Sequence, residues 1–545
     1  MVIAARRVAR CVRDERTLVL AVLVGLVLRG YQLAGQIVAD DEWHALYALT
    51  FRGYAYILSH FGGADYSIPL TVLYKTLAQT VGLTELGMRA PVLICGAAAL
   101  VALPLLVRRY VGRPASDVFA WLLAIAPLHV YFSRYARPYS ITMLLSVVAI
   151  IAFLEWASGG PRRWAWVYAA GAIMAPYFHL AVLPFVLSPL LFAVGERMVR
   201  RGRARGRSLG EVIRVGAAVA AGLTVLLIVP LIVNVQSLAR KTGTTSIRRE
   251  TLKGATQILV GTSSLWLVAA ILVFAVVGWV WLARHQPRLA LYVAFLAGCQ
   301  VVVPVVTRPA AIEVSIVLAR YSLPLLPLLL LLVAVGIGRL DAIVGRHLAV
   351  YRAGALAAVV IALLFAFGPL PEIYRYPNNW TNHALFQYEY DPAGRYNYAS
   401  IVRPRRIPSF YRQLAAVPPG THLIVEAPWY YPWHENPFPY YQAGHRQVMH
   451  VGLVASPDHG RPGEMRRSSG VRFRNAVHVG DAGELRRRKV RYVIFHRRPR
   501  EEIAHGPEEV VDVGDWIARY QALYGAPVYE DPDIVAFDVA GSGGA

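Results

Sequence analysis

The stretch that decides the fold of this protein is the apolar run TLVLAVLVGLVLRGYQLAG at residues 17–35, followed directly by the polar segment QIVADDEWHALY at residues 36–47. About 20 apolar residues are enough to cross the hydrocarbon core of a bilayer. The arginines that precede the run, from Arg6 to Arg16, imitate a secretory signal. Because many similar runs follow, we expect an uncleaved first membrane helix.

The composition of the 545-residue chain supports the same interpretation. Hydrophobic residues make up 56% of the sequence, charged residues 16%, and the mean hydropathy is +0.43. Ordinary globular domains contain about 45–50% apolar and about 25% charged residues. This composition excludes a disordered chain or a soluble single-core enzyme over most of the length. It predicts a polytopic α-helical membrane protein.

Eleven apolar runs are predicted to cross the membrane within residues 1–370, which we expect to form one transmembrane domain. The predicted spans are Thr17–Gly35, Leu86–Val107, Ala115–Phe132, Tyr139–Ala157, Trp164–Pro176, Ala181–Val194, Val212–Val235, Ser263–Ala283, Leu289–Val306, Tyr321–Gly338 and Ala353–Leu370. The fifth and sixth are short and are separated only by residues 177–180.

The net charge of +23 lies mainly in arginine blocks between these spans. Such blocks set the orientation of membrane proteins, since cytoplasmic loops carry the positive excess, and we therefore do not assign them to nucleic-acid binding. With a cytoplasmic N-terminus, the dense blocks at 108–113, 162–163, 197–207, 284–288 and 339–352 fall on one side. Eleven crossings then predict an extracytoplasmic C-terminus in the plasma membrane. The basic outer loop at 236–262 deviates from this pattern.

The first outer loop, residues 36–85, has a different texture from the spans. Its apolar positions between Trp43 and Phe61 recur at three- and four-residue steps, which is one stripe of a helix. A second stretch, Ile68–Val81, falls short of a span and carries Lys75 and Gln79. Both stretches predict amphipathic helices lying at the membrane interface.

Residues 371–545 contain no further span and alternate helix-like with strand-like segments. FYRQLAAVPPGTHLIVEAP at 410–428 and GELRRRKVRYVIFH at 483–496 each predict a helix followed by a strand. DWIARYQALYGAPVYEDPDIVAFDV at 515–539 predicts a helix and two strands. We expect a small extracytoplasmic α/β domain. It has no cysteine, and Cys11, Cys95 and Cys299 elsewhere suggest no disulfide framework.

Three consecutive carboxylates, Asp40, Asp41 and Glu42, follow the first span and open the first interfacial helix. One acidic residue would suffice to cap a helix, which is the simpler interpretation. Crowding carboxylates at a low-dielectric boundary raises the pKa of at least one. This pattern suits proton abstraction or cation binding.

Arginines in a predicted outer loop cannot be explained by orientation. Arg134 and Arg137 lie in HVYFSRYARPYS at 129–140, and Arg320 lies at the outer mouth of the tenth span. Guanidinium groups bind phosphate in a two-pronged way, so these arginines suit a phosphate at the head-group level. Extension of the side chains toward lipid phosphates is the alternative.

Four motifs in order resemble the GT-C family of integral-membrane glycosyltransferases. They are DDEWHALY at 40–47, ELGMRAP at 85–91, APLHVYFSRYARPY at 126–139 and ARYSLPLLP at 319–327. The branch resembled is that of the protein O-mannosyltransferases and the lipid-A aminoarabinose transferase, over roughly residues 15–370. The resemblance implies a polyprenyl-phosphate sugar donor and transfer on the outer face. It places the catalytic base at Asp41, with Glu42 beside it and Asp40 as the register alternative.

Two motifs depart from the family pattern. Relatives usually show Ser-Gln-Glu-Ala-Arg-x-Tyr in the second outer loop, whereas this sequence has SRYARPY at 133–139, with Tyr135 in place of the acid. The usual His-Pro-Pro-Leu-Tyr-Tyr is only partly kept in YSIPLTVLY at 66–74. A second carboxylate or metal at the first point and the acceptor pocket at the second are therefore in question.

The residues fit an inverting transfer, which needs one base on the incoming hydroxyl and cations on the leaving phosphate. Asp41 supplies the base, and the three outer arginines bind the donor phosphate. The residues expected to line the acceptor site or cavity are His44, Asp65, Tyr135, Tyr139 and His179. A divalent cation held by Asp41, His44 and Asp65 is an alternative use of the acids. No Gly-rich phosphate loop or HExxH motif is present in the sequence.

Two functions from other classes remain open at this point. A transporter or flippase of lipid-linked sugars would show paired repeats and mid-span charges, and we find neither pattern. A non-catalytic assembly protein would bind envelope glycan through the aromatic segment APWYYPWHENPFPYY at 427–441. The same aromatic residues also suit anchoring at the interface. The basic run LRRRK at 485–489 suits a solvated helix face near anionic lipid.

Overall fold

The computed structural model describes residues 15–38, 41–62, 66–200, 206–243, 246–347, 354–373, 406–429, 438–454, 470–497 and 512–540. The chain divides into two compact units. The helical unit comprises Met1–Gly30 and Pro91–Gly368, and the mixed unit comprises Tyr31–Ala90 and Pro369–Ala545. The first outer loop thus belongs to the same unit as the C-terminal part of the chain. The predicted boundaries, 1–370 and 371–545, remain a prediction about domains.

Eighteen helices precede the C-terminal sheet in the described residues. They are α1 (Arg16–Gly30), α2 (Glu42–Phe51), α3 (Tyr54–Ser59), α4 (Ile68–Thr80), α5 (Glu85–Val111), α6 (Arg113–Ile125), α7 (Pro127–Phe132), α8 (Tyr139–Ala157), α9 (Arg163–Phe178), α10 (Leu183–Arg200), α11 (Leu209–Arg240), α12 (Arg249–Val260), α13 (Leu265–His285), α14 (Pro287–Thr307), α15 (Ser315–Tyr321), α16 (Leu326–His347), α17 (Ala355–Ala366) and α18 (Leu370–Ile373).

Eight helical segments within the described ranges are long and apolar enough to cross a membrane. They are Arg16–Gly35, Glu85–Val111, Tyr139–Ala157, Leu180–Val199, Leu209–Arg240, Leu265–His285, Pro287–Thr307 and Leu323–His347. Large apolar side chains such as Ile94, Val225 and Ile232 are exposed on them, as expected of helices surrounded by lipid. The protein is therefore a multi-pass membrane protein, and the predicted helical membrane part with a small α/β region is confirmed.

Three of the eleven predicted spans fall short of this length. The run at 115–132 is split into α6 and α7 at Ala126, because Pro127 has no backbone N–H and disfavours a helical residue before it. The run at 164–176 is the 16-residue helix α9, and the run at 353–370 contains the 12-residue helix α17. The run at 139–157 coincides with α8.

Helices α13 and α16 of the helical unit approach each other through a pair of glycines. A Cβ atom at Gly278 would lie 1.9 Å from the carbonyl oxygen of Leu332, and one at Gly336 would lie 1.9 Å from that of Phe274. Neither backbone oxygen can move away cheaply. Only glycine permits this contact, which is how small residues pack membrane helices closely.

The first outer loop forms three helices where two were predicted. The predicted stripe from Trp43 to Phe61 breaks between α2 and α3, because Gly53 is extended, with φ −70° and ψ 165°. The second predicted helix is confirmed as α4. Side chains tie α4 to its neighbours: Lys75 Nζ donates to the Leu49 carbonyl at 2.8 Å, and the Tyr54 hydroxyl donates to Gln79 at 3.0 Å.

The C-terminal part contains a six-stranded sheet in the order β3-β2-β1-β4-β6-β5. Its elements in chain order are α19 (Ser409–Ala415), β1 (Leu423–Trp429), α20 (Phe438–His445), β2 (Val448–Leu453), β3 (Ala476–His478), α21 (Ala482–Arg487), β4 (Val490–His496), α22 (Gly514–Tyr524), β5 (Tyr529–Glu530) and β6 (Ile534–Asp538). Strands β3, β2, β1 and β4 are parallel, whereas β6 runs antiparallel to β4 and β5.

The helix–strand order predicted for the C-terminal part is confirmed in all three quoted segments, while α20, β2 and β3 were not predicted. Apolar residues of the strands and of α22, such as Val493, Phe537 and Tyr520, form a buried core. In the aromatic segment, Trp429 and Tyr441 are buried in this unit. Residues 430–437 lie outside the described part of the chain.

Candidate functional site

The acidic segment of the mixed unit is built around a buried ion pair. Arg89 of α5 donates to both carboxylate oxygens of Glu42, at 3.0 Å from Nε and 2.8 Å from Nη2. Both residues are 0% exposed. A bidentate arginine–carboxylate pair has a defined geometry, and burial makes separation of the two charges costly. Glu42 is therefore held in one orientation by Arg89.

The same guanidinium fixes the chain that leads to the acids. Arg89 Nη1 donates to the Gln36 carbonyl at 2.6 Å, and Nη2 donates to the Ile37 carbonyl at 2.7 Å. Trp43 adds a further contact, because its Nε1 donates to the Val38 carbonyl at 3.1 Å. The three carbonyls bring the chain after the first span into a fixed path against the start of α5.

Asp41 is the N-terminal flanking residue of α2. Its side chain makes no capping hydrogen bond to the backbone of the helix. One carboxylate oxygen lies 3.2 Å from His44 Nε2, and both side chains are about one-tenth exposed. The simple helix-cap interpretation of Asp41 is therefore not what the geometry shows, and the contact with His44 brings together two residues that the sequence analysis selected.

Two other selected acids, Asp40 and Asp65, lie outside the described residues. Among the residues that are described, no group of three or more His, Cys, Asp or Glu side chains could hold a metal ion. Of the suggested cation ligands, the structure therefore describes the pair Asp41 and His44 alone.

Residues from the C-terminal part complete the surroundings of the acidic segment within the mixed unit. Glu85 is buried, and its carboxylate accepts hydrogen bonds from the backbone N–H groups of Arg474 at 2.8 Å and Asn475 at 2.9 Å. The Asn475 side chain donates to the Ala34 carbonyl at 2.9 Å. The ring of Trp43 lies 5.9 Å from that of Trp429. These contacts hold the start of the outer loop against the sheet region.

Sequence reasoning missed the roles of Glu85, Arg89 and Asn475. Glu85 and Arg89 stand in the quoted motif ELGMRAP, and the signal that could have identified them is charge: two ionised residues beside a long apolar run need partners. Asn475 carried no comparable signal, because its partners are more than four hundred positions away along the chain.

The arginines of the second outer loop lie in the helical unit. Arg134 is buried, and its Nη1 donates to the carbonyls of Leu28 at 3.0 Å and Arg29 at 3.3 Å. These carbonyls belong to the C-terminal end of α1, which carries partial negative charge. Arg137 is also buried. The guanidinium of Arg134 is thus anchored to the main chain of α1.

A further buried arginine supports this loop from α1. Arg29 Nε donates to Ser133 Oγ at 3.2 Å, and Nη1 donates to the carbonyls of Gly25 at 2.8 Å and Ala124 at 3.1 Å. Its Nη2 lies 2.8 Å from Nδ1 of the buried His129. Arg29 therefore connects α1, the end of α6 and the second outer loop.

An aromatic group of the helical unit gathers three of the selected residues. The Arg320 guanidinium carbon lies 6.0 Å from the centre of the Tyr139 ring, and that ring lies 5.3 Å from His179. Tyr321 lies on the other side of His179, with 6.0 Å between ring centres. Tyr135 is buried and stacks on Tyr131, with ring centres 5.1 Å apart. The cation and the two rings of Arg320, Tyr139 and His179 form one cluster.

Comparison with known proteins gives structural likenesses only. No protein-family model and no curated protein matches the chain. The crystal structure of ArnT from Cupriavidus metallidurans in the apo state is 16% identical, with a TM-score of 0.45, over 97% of this chain and 98% of that one. The same protein bound to undecaprenyl phosphate gives 15% identity and a TM-score of 0.45, over 97% and 99%.

The oligosaccharyltransferase of Archaeoglobus fulgidus in the apo form is 13% identical, with a TM-score of 0.44, over 89% of this chain and 69% of that one. ArnT and the oligosaccharyltransferase are both GT-C fold glycosyltransferases, which is the fold group that the sequence motifs resemble. Because all these TM-scores lie below 0.5, the roles of residues are argued below from the contacts of this chain.

Proposed function

We propose that this protein is an inverting glycosyltransferase that moves a sugar from a polyprenyl-phosphate donor to an acceptor on the extracytoplasmic face of the plasma membrane. The observation that carries the proposal is the placement of Asp41. Its carboxylate lies against His44 at 3.2 Å, and the adjacent residue Glu42 is fixed by Arg89. A carboxylate whose backbone is held on both sides is suited to act as a general base.

The reaction assigns the proton to Asp41. A carboxylate oxygen of Asp41 takes the proton of the acceptor hydroxyl or amine as the acceptor atom attacks the anomeric carbon. The bond from that carbon to the phosphate oxygen breaks on the opposite face, and its electron pair leaves with the polyprenyl phosphate. Attack opposite the leaving group inverts the anomeric configuration.

Glu42 and Arg89 are positioning residues in this scheme. The hydrogen bonds of Arg89 to Glu42 and to the carbonyls of Gln36 and Ile37 fix the path of the main chain into Asp41. Catalytic groups need such support, since a small displacement of a base costs much of its effect. Asp40 is kept as the register alternative for the base.

The donor phosphate is assigned to the outer arginines Arg134, Arg137 and Arg320. Arg320 supports this assignment because it extends over Tyr139 beside His179, where a cation and two rings could bind a phosphate and a sugar. Tyr135 and Asp65 stay as proposed cavity residues. A divalent cation beside Asp41 and His44 is a second use of the same carboxylate.

The test is the separate substitution of Asp41→Asn and Asp40→Asn in the full-length protein, reconstituted in liposomes. The assay follows release of polyprenyl phosphate from polyprenyl-phosphate mannose and polyprenyl-phosphate arabinose with a cell-envelope extract as acceptor. We expect Asp41→Asn to lower transfer by roughly a hundredfold or more, as for loss of a general base. Asp515→Asn, in the first turn of α22, is the matched control and should keep full transfer.

Full transfer in both the Asp41 and Asp40 variants would overturn the proposed base. Counter-transport of the lipid-linked sugar without transfer would favour a transporter instead. Loss of envelope assembly on changing Trp429 or Tyr441, with Asp41→Asn unaffected, would favour a non-catalytic glycan-binding protein.

A further inference from the structure

The mixed unit contains a cavity of about 500 Å³ that none of the assignments above uses. It lies at the ends of β1 and β2 where these parallel strands begin. Its lining residues are Gly35, Leu423, Val448, His450, Arg474, Asn475 and Arg488. This volume is within the usual range of about 300–1,000 Å³ for small-ligand sites.

The lining of the cavity is cationic. It contains two arginines, one histidine and one asparagine, and none of its residues is acidic. Arg488 is partly offset by Glu484, which also pairs with Arg487 outside the lining. Arg474 is exposed, and the described residues provide no ion pair for its guanidinium. The cavity therefore presents an uncompensated positive charge.

The histidine adds a hydrogen-bonding group without a charge. Burial, together with the guanidiniums of Arg488 and Arg474, lowers the pKa of His450 to about 3, so the imidazole is neutral near pH 7. Its Nδ1 lies 3.4 Å from Arg488 Nη1 and accepts from it. A neutral imidazole that accepts at Nδ1 carries its proton on Nε2, where it is a donor.

The walls of the cavity are fixed before any ligand binds. Glu85 accepts from the backbone N–H groups of both Arg474 and Asn475, and Asn475 donates to the Ala34 carbonyl next to Gly35. Arg488 Nη2 donates to the Phe473 carbonyl at 3.1 Å. A site whose groups are already ordered loses little entropy when a ligand binds.

From this geometry we propose that the cavity binds a phosphate-type oxyanion, with Arg474 and Arg488 as its principal ligands. Guanidinium groups pair with phosphate oxygens through parallel hydrogen bonds, and a concave positive surface concentrates the field on a bound anion. The phosphate belongs either to a phospholipid head group or to a soluble or polymeric phosphate. The inference does not depend on the proposed transferase function.

The experiment measures binding to the full-length protein in a neutral detergent by calorimetry, with inorganic pyrophosphate as the soluble probe. Nanodiscs containing phosphatidylglycerol or only phosphatidylcholine supply the lipid arm, with binding followed as competition against pyrophosphate. We expect saturable binding that weakens roughly tenfold in Arg474→Gln and is lost in Arg474→Glu.

The matched control is Arg412→Gln, which removes an exposed arginine of α19 outside the cavity and should leave affinity unchanged. Unfolding curves identify any variant that fails to fold, and Arg474→Lys then replaces it. Competition by phosphatidylglycerol alone assigns the site to lipid, and its absence assigns it to soluble phosphate. The proposal is overturned if neither probe binds, or if folded Arg474→Glu binds as well as the unchanged protein.

Discussion

Two buried arginines, Arg89 in the mixed unit and Arg29 in the helical unit, satisfy the same charge in different ways. Arg89 closes on the carboxylate of Glu42 and adds two backbone carbonyls. Arg29 donates to two helix carbonyls and a serine hydroxyl, and meets the ring of His129. Both side chains are fully buried.

The difference concerns what is left behind when the arginine is removed. Loss of one partner of a buried ion pair leaves an uncompensated charge, whereas loss of a cation that faces dipoles leaves only weaker unsatisfied groups. The ion pair therefore makes the segment before Asp41 sensitive to a single change. The dipole arrangement makes the second outer loop more tolerant.

The largest effect is expected for Arg89→Ala. Glu42 would remain buried without its partner, which costs roughly 3–5 kcal/mol of unfolding free energy. Removing both charges in an Arg89→Met, Glu42→Leu double variant should cost much less, since no charge is left unpaired. Thermal unfolding followed by tryptophan fluorescence measures both, and equal stability of Arg89→Ala and the unchanged protein would contradict the comparison.

A smaller loss is expected for Arg29→Met. The variant keeps an apolar stem of similar length and loses hydrogen bonds to carbonyls and to Ser133, for a cost of roughly 2–3 kcal/mol. Arg162→Met, which removes an exposed arginine from the start of α9, is the control and should change stability little. A loss in Arg29→Met that exceeds that of Arg89→Ala would reverse the order proposed here.

A third buried group sharpens the comparison because the protein keeps it neutral. Burial lowers the pKa of His445 to about 3, while its ring Nδ1 accepts from the Gln447 N–H. The unfolded chain, with the ordinary pKa of about 6.5, binds the proton more tightly. The stability from a neutral His445 is therefore complete above about pH 6.5 and is lost as the pH falls toward 3.

Between pH 7 and pH 5 this one group should cost about 2 kcal/mol of unfolding free energy. His445→Asn keeps an acceptor for Gln447 and removes the titration, so its stability should fall less over the same range. His450, whose pKa is also lowered to about 3, keeps its own share in the variant. Chemical unfolding at the two pH values measures the difference, and an unchanged pH dependence in His445→Asn would refute this account.

Much of the fold could be predicted because its signals are local. Every predicted span contains a helix, and the helix–strand order of the C-terminal segments is confirmed, since apolar runs and turn residues report on their own neighbourhood. The number of long spans was overestimated, because Pro127 divides one run and two others form short helices. The break at Gly53 was missed for a similar reason: a helical stripe does not reveal one extended residue.

The candidate site was only partly predictable. The acids were evident because carboxylates are rare beside apolar runs, and the outer arginines because they oppose the charge bias. Which groups meet them was not evident. The pairs Glu42–Arg89 and Asp41–His44 and the cluster of Arg320, Tyr139 and His179 depend on how helices pack.

The sequence by itself determined that this is a multi-pass membrane protein with a small α/β part, because the cost of exposing apolar surface to water depends on composition and spacing alone. The tertiary structure decided which charges are neutralised and which face a cavity. Arg89 meets Glu42 across 47 positions, and Arg474 and Asn475 meet Glu85 across almost the whole chain. Such partners are chosen by distance in space, which no local pattern encodes.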